Sequence, residues 1–286
     1  MFIFKKSEDI HRYISQKRAE GVTIGFVPTM GALHNGHLSL ISESKSRNSL
    51  TVCSIFVNPT QFNNPEDFNK YPISIESDIE MLEAEGCDIL FLPAAEEIYP
   101  AGFKAPYYEL GYLENILEGT HRPGHFQGVC MVVERLLDII PCDVLFLGRK
   151  DYQQCMVLQK MIAEKKPDIR IQIVPTMRES DGLAMSSRNR RLTDESRKRA
   201  TAIFKALSYI NQNIASSSIS SLAQHAKQML EQEGFIVDYV EILEMNLKPV
   251  TAYLSDRQLV ALIAAGIESI RLIDNMIIPD NTIKDS

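Results

Sequence analysis

Val22-Thr23-Ile24-Gly25-Phe26-Val27-Pro28-Thr29-Met30-Gly31-Ala32-Leu33-His34-Asn35-Gly36-His37-Leu38-Ser39-Leu40-Ile41 runs from one apolar stretch through a glycine-bearing turn into another. Residues 22–27 read as a strand, and Leu38, Leu40 and Ile41 as the inward face of a helix. A helix start offers unpaired backbone N–H groups and the positive end of a dipole, which suits a phosphate. Two imidazoles there can donate hydrogen bonds to charge building on that phosphate. No Gly-Lys-Ser/Thr follows the glycines, so the turn is not a Walker loop. The arrangement is that of an enzyme handling a nucleoside triphosphate. The bland alternative is a pair of ordinary polar helix-start residues.

The same alternation continues along the chain. Thr23–Val27, Leu50–Val57, Asp88–Leu92, Asp143–Leu147 and Arg170–Val174 are short and apolar, as strands buried on both faces of a parallel sheet should be. Helices are expected at His37–Ser46, Ser74–Glu85, Phe126–Ile140 and Tyr152–Lys166. In the third of these, Val129, Val132, Val133, Leu136, Leu137 and Ile140 form one stripe that Pro141 ends. Such alternation predicts an α/β fold with a Rossmann-like, doubly wound parallel sheet. Thr193–Asn213 and Ser220–Glu233, the latter closed by Gly234, read as helices, and Phe235–Leu243 and Gln258–Ala265 as strands. The expected division is a nucleotide-binding catalytic domain over 1–186. A small C-terminal α+β lid domain follows over 187–286.

Ligands bind doubly wound sheets at the carboxyl ends of the strands. Met30–His37, Asn58–Gln61, Gly148–Gln154 and Pro175–Arg188 all follow predicted strands and should therefore share one edge. Asn58 and Gln61 bring amides that both donate and accept, suited to a hydroxylated substrate, although Asn58-Pro59 is also a plain turn dipeptide. Lys150, beside Gly148, can neutralise phosphate, although most lysines are solvated loop charges. Ser186, Ser187 and Arg188, preceded by Gly182, read either as a flexible phosphate clamp or as a basic linker. A zinc site built from His34, His37, His121 and His125 is disfavoured. Pro123 and Gly124 keep the second pair off one helix face, and no cysteine pair completes a set.

Bulk properties narrow the field. The 286 residues are 45% apolar and 23% charged, which suits a globular protein of two domains. A net charge of −7 gives no footprint for nucleic acid, so an anionic substrate needs a local basic site. The five cysteines form no C-x-x-C pair and read as small core residues in a reducing compartment. Charges scattered through Met1–Lys17 argue against a signal peptide, and no run is long enough to span a membrane. A cytoplasmic location is expected.

In this order the segments closely resemble the pantothenate synthetase (pantoate–β-alanine ligase) family of the H-x-G-H nucleotidyltransferase superfamily. The resemblance runs from Gly25 to Asn275 and includes Phe56–Phe62, Lys70-Tyr71-Pro72, Glu118–Gly128, Gly148–Gln154, Asp181–Asn189 and Arg271–Asn275. The histidine signature alone would indicate only the superfamily. Asn-Pro-x-Gln-Phe, Lys-Asp-Tyr-Gln-Gln and Met-Ser-Ser-Arg-Asn make the match specific.

The resemblance implies that pantoate attacks the α-phosphate of ATP and that β-alanine then displaces AMP from pantoyl-adenylate. It implies ATP contacts from Met30, Gly31, Ala32, Leu33, His34, Asn35, Gly36 and His37, from Gly148, Arg149, Lys150 and Asp151, and from Met177, Met185, Ser186, Ser187 and Arg188. His37 is the implied proton donor, with His34, Lys150, Ser186, Ser187 and Arg188 also catalytic. Gln61 and Gln154 hold pantoate, and Gln61 is also near β-alanine. Magnesium ions accompany ATP, no protein metal site is expected, and a homodimer is implied.

Three places depart from the usual family pattern. Asn35 fills a variable slot, Arg149 replaces an acidic residue, and Ala264–Ile270 differs from the usual small-residue approach to Arg271. An adenylyltransferase that leaves AMP on its product is the alternative reading. A tRNA synthetase would need room for a large RNA-binding domain, a zinc hydrolase would carry stoichiometric zinc, and a non-catalytic module would bind ATP without releasing pyrophosphate.

Overall fold

The computed structural model describes residues 1–63 and 65–280, the side chain of Pro65 excepted. The last part of the expected second domain, 281–286, lies outside the described residues. In chain order the elements are β1 (Phe2–Phe4), α1 (Ser7–Ala19), β2 (Ile24–Thr29), α2 (Asn35–Arg47), β3 (Leu50–Ile55), α3 (Pro65–Asn69), α4 (Ile75–Ala84), β4 (Ile89–Phe91), α5 (Ala95–Ile98), α6 (Glu118–His121), α7 (His125–Ile139), β5 (Val144–Gly148), α8 (Tyr152–Lys165) and β6 (Arg170–Val174). These are followed by α9 (Asp194–Arg199), α10 (Ala202–Asn213), α11 (Ile219–Gln232), β7 (Ile236–Glu244), β8 (Leu259–Ile267) and β9 (Ile270–Ile278). No helix among the described residues is long and apolar enough to cross a membrane.

Strands β1 to β6 form one six-stranded parallel sheet in the order β1-β4-β3-β2-β5-β6. The chain steps from β2 to β3 to β4, then returns to add β5 and β6 on the far side of β2. The direction of winding therefore reverses between β2 and β5, which is where such a sheet opens a crevice for ligands. Val52, Cys53, Ile89, Leu90 and Phe91 are buried, as expected of strands covered on both faces. Gly25 on β2 lets α2 lie close, because a Cβ there would stand 2.1 Å from the Ser44 hydroxyl. That hydroxyl instead bonds Thr51 on β3 at 2.8 Å.

The chain forms two compact units, Met1–Arg149 with Gln153–Pro175, and Thr176–Ser286 with Lys150–Tyr152. The second unit thus begins at Thr176 rather than at residue 187. The reason is local: Leu183 and Ala184 are buried, Leu183 within the second core, and Arg178 pairs with Asp274 of β9 at 2.6 Å. In that unit β7, β8 and β9 form an antiparallel sheet. Ile203, Leu207 and Ile210 of α10 and Leu222, Ala226 and Leu230 of α11 pack with its alternate residues Ala261, Ile263 and Ala265. The expected helix Thr193–Asn213 is broken into α9 and α10, where the Thr201 hydroxyl bonds back to the Lys198 carbonyl at 2.8 Å.

Candidate active site

The turn after β2 is held by a carboxylate that sequence reading passed over. Asp78 of α4 is fully buried and accepts the N–H groups of Ala32 and Leu33, each at 2.8 Å, and the Ser74 hydroxyl at 3.0 Å. Its grip keeps Gly31 and Ala32 in the left-handed region, at φ 77° and 51°, which costs a non-glycine residue energy. The Gly31 N–H bonds the Thr29 hydroxyl, and the His37 N–H bonds the His34 carbonyl. The N–H groups of Gly31, Ala32, Leu33 and His37 are thus already bonded within the protein.

His34 is the N-cap of α2, and its Nδ1 accepts the Gly36 N–H at 3.1 Å. A ring nitrogen that accepts carries no proton, so the neutral ring is protonated on Nε2. The His34 and His37 rings stand with centroids 4.1 Å apart. The two imidazoles are thus brought together at the carboxyl edge of β2, as the spacing predicted.

The amide of Gln61, in the single turn Pro59–Gln61 after β3, is oriented by Asn58. Asn58 is fully buried, and its Nδ2 donates to Gln61 Oε1 and to the Gly128 carbonyl, both at 3.1 Å. Its Oδ1 accepts from Thr60 and from the Tyr99 hydroxyl. Asn58 is therefore consumed as a bracket that holds the Gln61 amide by its oxygen and leaves its NH2 to other partners. That NH2 donates to Met30 Sδ at 3.0 Å, a weak acceptor that a substrate oxygen would displace. The Gln61 carbonyl bonds the His125 ring at 2.8 Å, which gives His125 a structural task. Gly128 lets α7 reach this turn, since a Cβ there would meet the Thr60 carbonyl at 2.3 Å. Among the described residues no group of three His, Cys, Asp or Glu side chains could hold a metal ion.

Gly148 ends β5, and the space where a side chain would stand is open. Of the paired glutamines on α8, Gln153 is buried and bonds Glu118 N, Leu113 O and Ile116 O. Gln154 is half-buried, and its amide has no bond among the described residues. Arg149, the last residue of the first unit before the loop, is half-buried.

The second unit carries the remaining candidates. Lys150 is half-buried, and its ammonium forms no ion pair among the described residues. Asp151 follows it in the same short turn. Met177 and Met185 face each other across a hairpin, bonded N–H to carbonyl at 3.0 Å, with Arg178 bridged to Ala184. Ser186 then caps the turn Ser187–Arg191, its hydroxyl accepting the Arg188 N–H at 3.3 Å. Ser187 is buried and Arg188 half-buried.

Comparison with known proteins gives one consistent answer. The family model described as pantoate-beta-alanine ligase matches residues 2–277. A pantothenate synthetase of Cytophaga hutchinsonii is 46% identical over 275 residues, covering 95% of this chain and 97% of its own. That of Aquifex aeolicus is 41% identical over 278 residues, covering 96% and 97%. The crystal structure of the Thermus thermophilus pantothenate synthetase superposes with a TM-score of 0.90 at 35% identity, covering 96% of this chain and 99% of that one. A pantoate-beta-alanine ligase of Francisella tularensis, complexed with beta-gamma ATP and beta-alanine, gives 0.81 at 36% identity, with 97% of each chain covered.

Proposed function

The chain belongs to the pantoate–β-alanine ligase family, and from that membership we propose how its residues carry the reaction. It joins pantoate to β-alanine, giving pantothenate, with ATP as the activating substrate. A pantoate carboxylate oxygen attacks the α-phosphorus of ATP. The bond to pyrophosphate breaks, and pantoyl-adenylate forms. The β-alanine amine then attacks the acyl carbon, the carbon–oxygen bond breaks, AMP leaves with the electron pair, and the nitrogen gives its proton to solvent.

Phosphoryl-type transfer is catalysed mainly by placement and charge. His34, His37, Lys150, Ser186, Ser187 and Arg188 stabilise the charge that builds on the phosphate oxygens, and His37 is the proton donor. Met30 to His37, Gly148 to Asp151, Met177 and Met185 to Arg188 hold the nucleotide. Gln61 and Gln154 hold pantoate, and Gln61 also meets β-alanine. The second step needs chiefly proximity, because an acyl-adenylate is already activated.

Magnesium would enter with ATP, since the ion is usually bound through substrate phosphates. The enzyme works as a cytoplasmic homodimer, which light scattering tests as twice the chain mass.

The observation that carries the reading is the Gln61 amide. Asn58 holds it by its oxygen, in the same unit as the paired imidazoles, and among the described residues its NH2 donates only to a thioether. Such a group selects a small oxygen-rich acid over an apolar one. Pantoate alone should support exchange of labelled pyrophosphate into ATP, and AMP should appear when β-alanine is added. Exchange that strictly requires β-alanine would overturn the two-step scheme.

A further inference from the structure

Lys150 presents a point charge on a flexible four-carbon stem, so its aim depends on how its backbone is held. That backbone is held from an unexpected place. The Lys150 carbonyl accepts from Asn275 Nδ2 of β9 at 2.8 Å. Two residues on, the Tyr152 hydroxyl donates to the Met245 carbonyl at 2.8 Å. Lys150–Tyr152 accordingly belongs to the second unit, although Arg149 and Gln153 on either side belong to the first.

Asn275 is 3% exposed and Asp274 4% exposed, and their positions are fixed several times over. Arg178 donates to both oxygens of Asp274, at 2.6 and 3.1 Å, and to the Asn275 carbonyl at 3.1 Å. The Asn275 N–H closes onto Asp274 Oδ1 at 2.7 Å. Arg178 also donates to the Gly182 carbonyl at 3.1 Å and lies 4.8 Å from the centre of the Phe204 ring. A bidentate guanidinium–carboxylate pair of this kind fixes geometry as well as adding energy. Arg178 is itself a rung of the hairpin that runs through Met185 into Ser186–Arg188. Two adjacent residues of one strand thus tie down both stretches of this unit that carry candidate phosphate donors.

We propose that Asn275 is a positioning residue for Lys150. The Asp274–Asn275 pair, locked by Arg178, sets the lysine loop and the Ser186–Arg188 stretch in one fixed register. The proposal rests on the phosphate role assigned to Lys150 above. It says that Asn275 acts through the lysine and touches no substrate.

The test is a double-mutant cycle on the full chain, reading kcat and KM from pantoate-dependent pyrophosphate exchange and Tm by calorimetry. Asn275→Ala should lower kcat about tenfold, and Tyr152→Phe about threefold, by misplacement of a charge, with the pantoate KM unchanged. In a Lys150→Ala background each should cost less than about twofold, because effects of groups that act as a unit do not add. If Asn275→Ala does not fold, Tyr152→Phe, which deletes one hydroxyl, decides by the same cycle. Equal factors in both backgrounds, or wild-type kcat in Asn275→Ala when Lys150→Ala is slow, overturn the positioning role alone. Wild-type exchange in Lys150→Ala removes the phosphate role of the lysine and the proposal with it.

Discussion

His34 has two tasks that one substitution can separate. Its Nδ1 caps α2, and its ring sits beside His37. Asparagine is as good an N-cap as any residue but carries no imidazole. His34→Asn should therefore keep the wild-type Tm while slowing pyrophosphate exchange by roughly 10²-fold. His34→Ala should slow exchange equally and also lose about 1 kcal/mol of stability. A matching loss of Tm in both variants would show that the cap is not made by the side chain. At Gln61 and Gln154 the expectation concerns which substrate suffers. A site built to bond substrate oxygens leaves its own polar groups unpaired when the partner is wrong. Alanine at either position should raise the pantoate KM far more than the ATP KM in steady-state kinetics, and equal rises would indicate a general defect. The sequence singled out these residues because each follows a predicted strand. It could not single out Asp78 or Asn275. Their partners lie 45 or more positions away along the chain, at Ala32, Leu33 and Lys150, and no local spacing reveals such pairs.

Strands β2 to β5 were legible as short apolar runs buried on both faces, and β6, an edge strand with only Val174 buried, by its β-branched run, whereas β1, α1 and β9 were not. Phe2–Phe4 is three residues long and lies on the sheet edge. In α1 only Ile10 and Ile14 are buried, so the polar majority hides the helical stripe. In β9 the buried polar pair Asp274 and Asn275 interrupts the apolar alternation of Ile270, Leu272, Met276 and Ile278. Helix α1 also starts without a side-chain cap of its own. The cap comes from Glu97 of α5, whose carboxylate accepts the Ser7 N–H at 2.9 Å, the Ser7 hydroxyl at 2.7 Å and the Lys6 ammonium at 2.8 Å. The Lys6 ammonium, then the Ser7 N–H and hydroxyl, pull this carboxyl down to about 2. An unfolded glutamate titrates near ~4.3, so the stabilisation is complete above that value and is lost as pH falls through about 2. Melting curves of wild type and Glu97→Gln should differ at neutral pH and converge as the pH is lowered through this window. A constant difference down to pH ~1.5 would contradict the cap.

At the scale of the molecule, a sheet covered on both faces leaves the cysteines nowhere to react. All five are buried and unpaired by disulfides. Burial raises the Cys53 thiol well above its usual range and pushes Cys87, Cys130 and Cys142 up to about 12. Only the thiolate is nucleophilic. The folded protein should therefore show no fast reaction with a thiol-specific dye at pH 8, and all five should titrate once denaturant is added. Rapid labelling of one cysteine in the native state would locate a thiol more open than these contacts allow. The change from alternating strands and helices to consecutive ones suggests a division near residue 187, and Arg178, Leu183 and Ala184 read as a linker until Asp274 and the second core are in view.

Asp78 gives the turnover cycle a particular character. A turn whose amides were open would hold inorganic phosphate or sulfate between catalytic rounds, and every incoming nucleotide would have to evict it. Here a tethered carboxylate already fills that seat and never dissociates. Bystander oxyanions are denied the Ala32 and Leu33 amides, so millimolar phosphate in the surrounding solution should inhibit weakly.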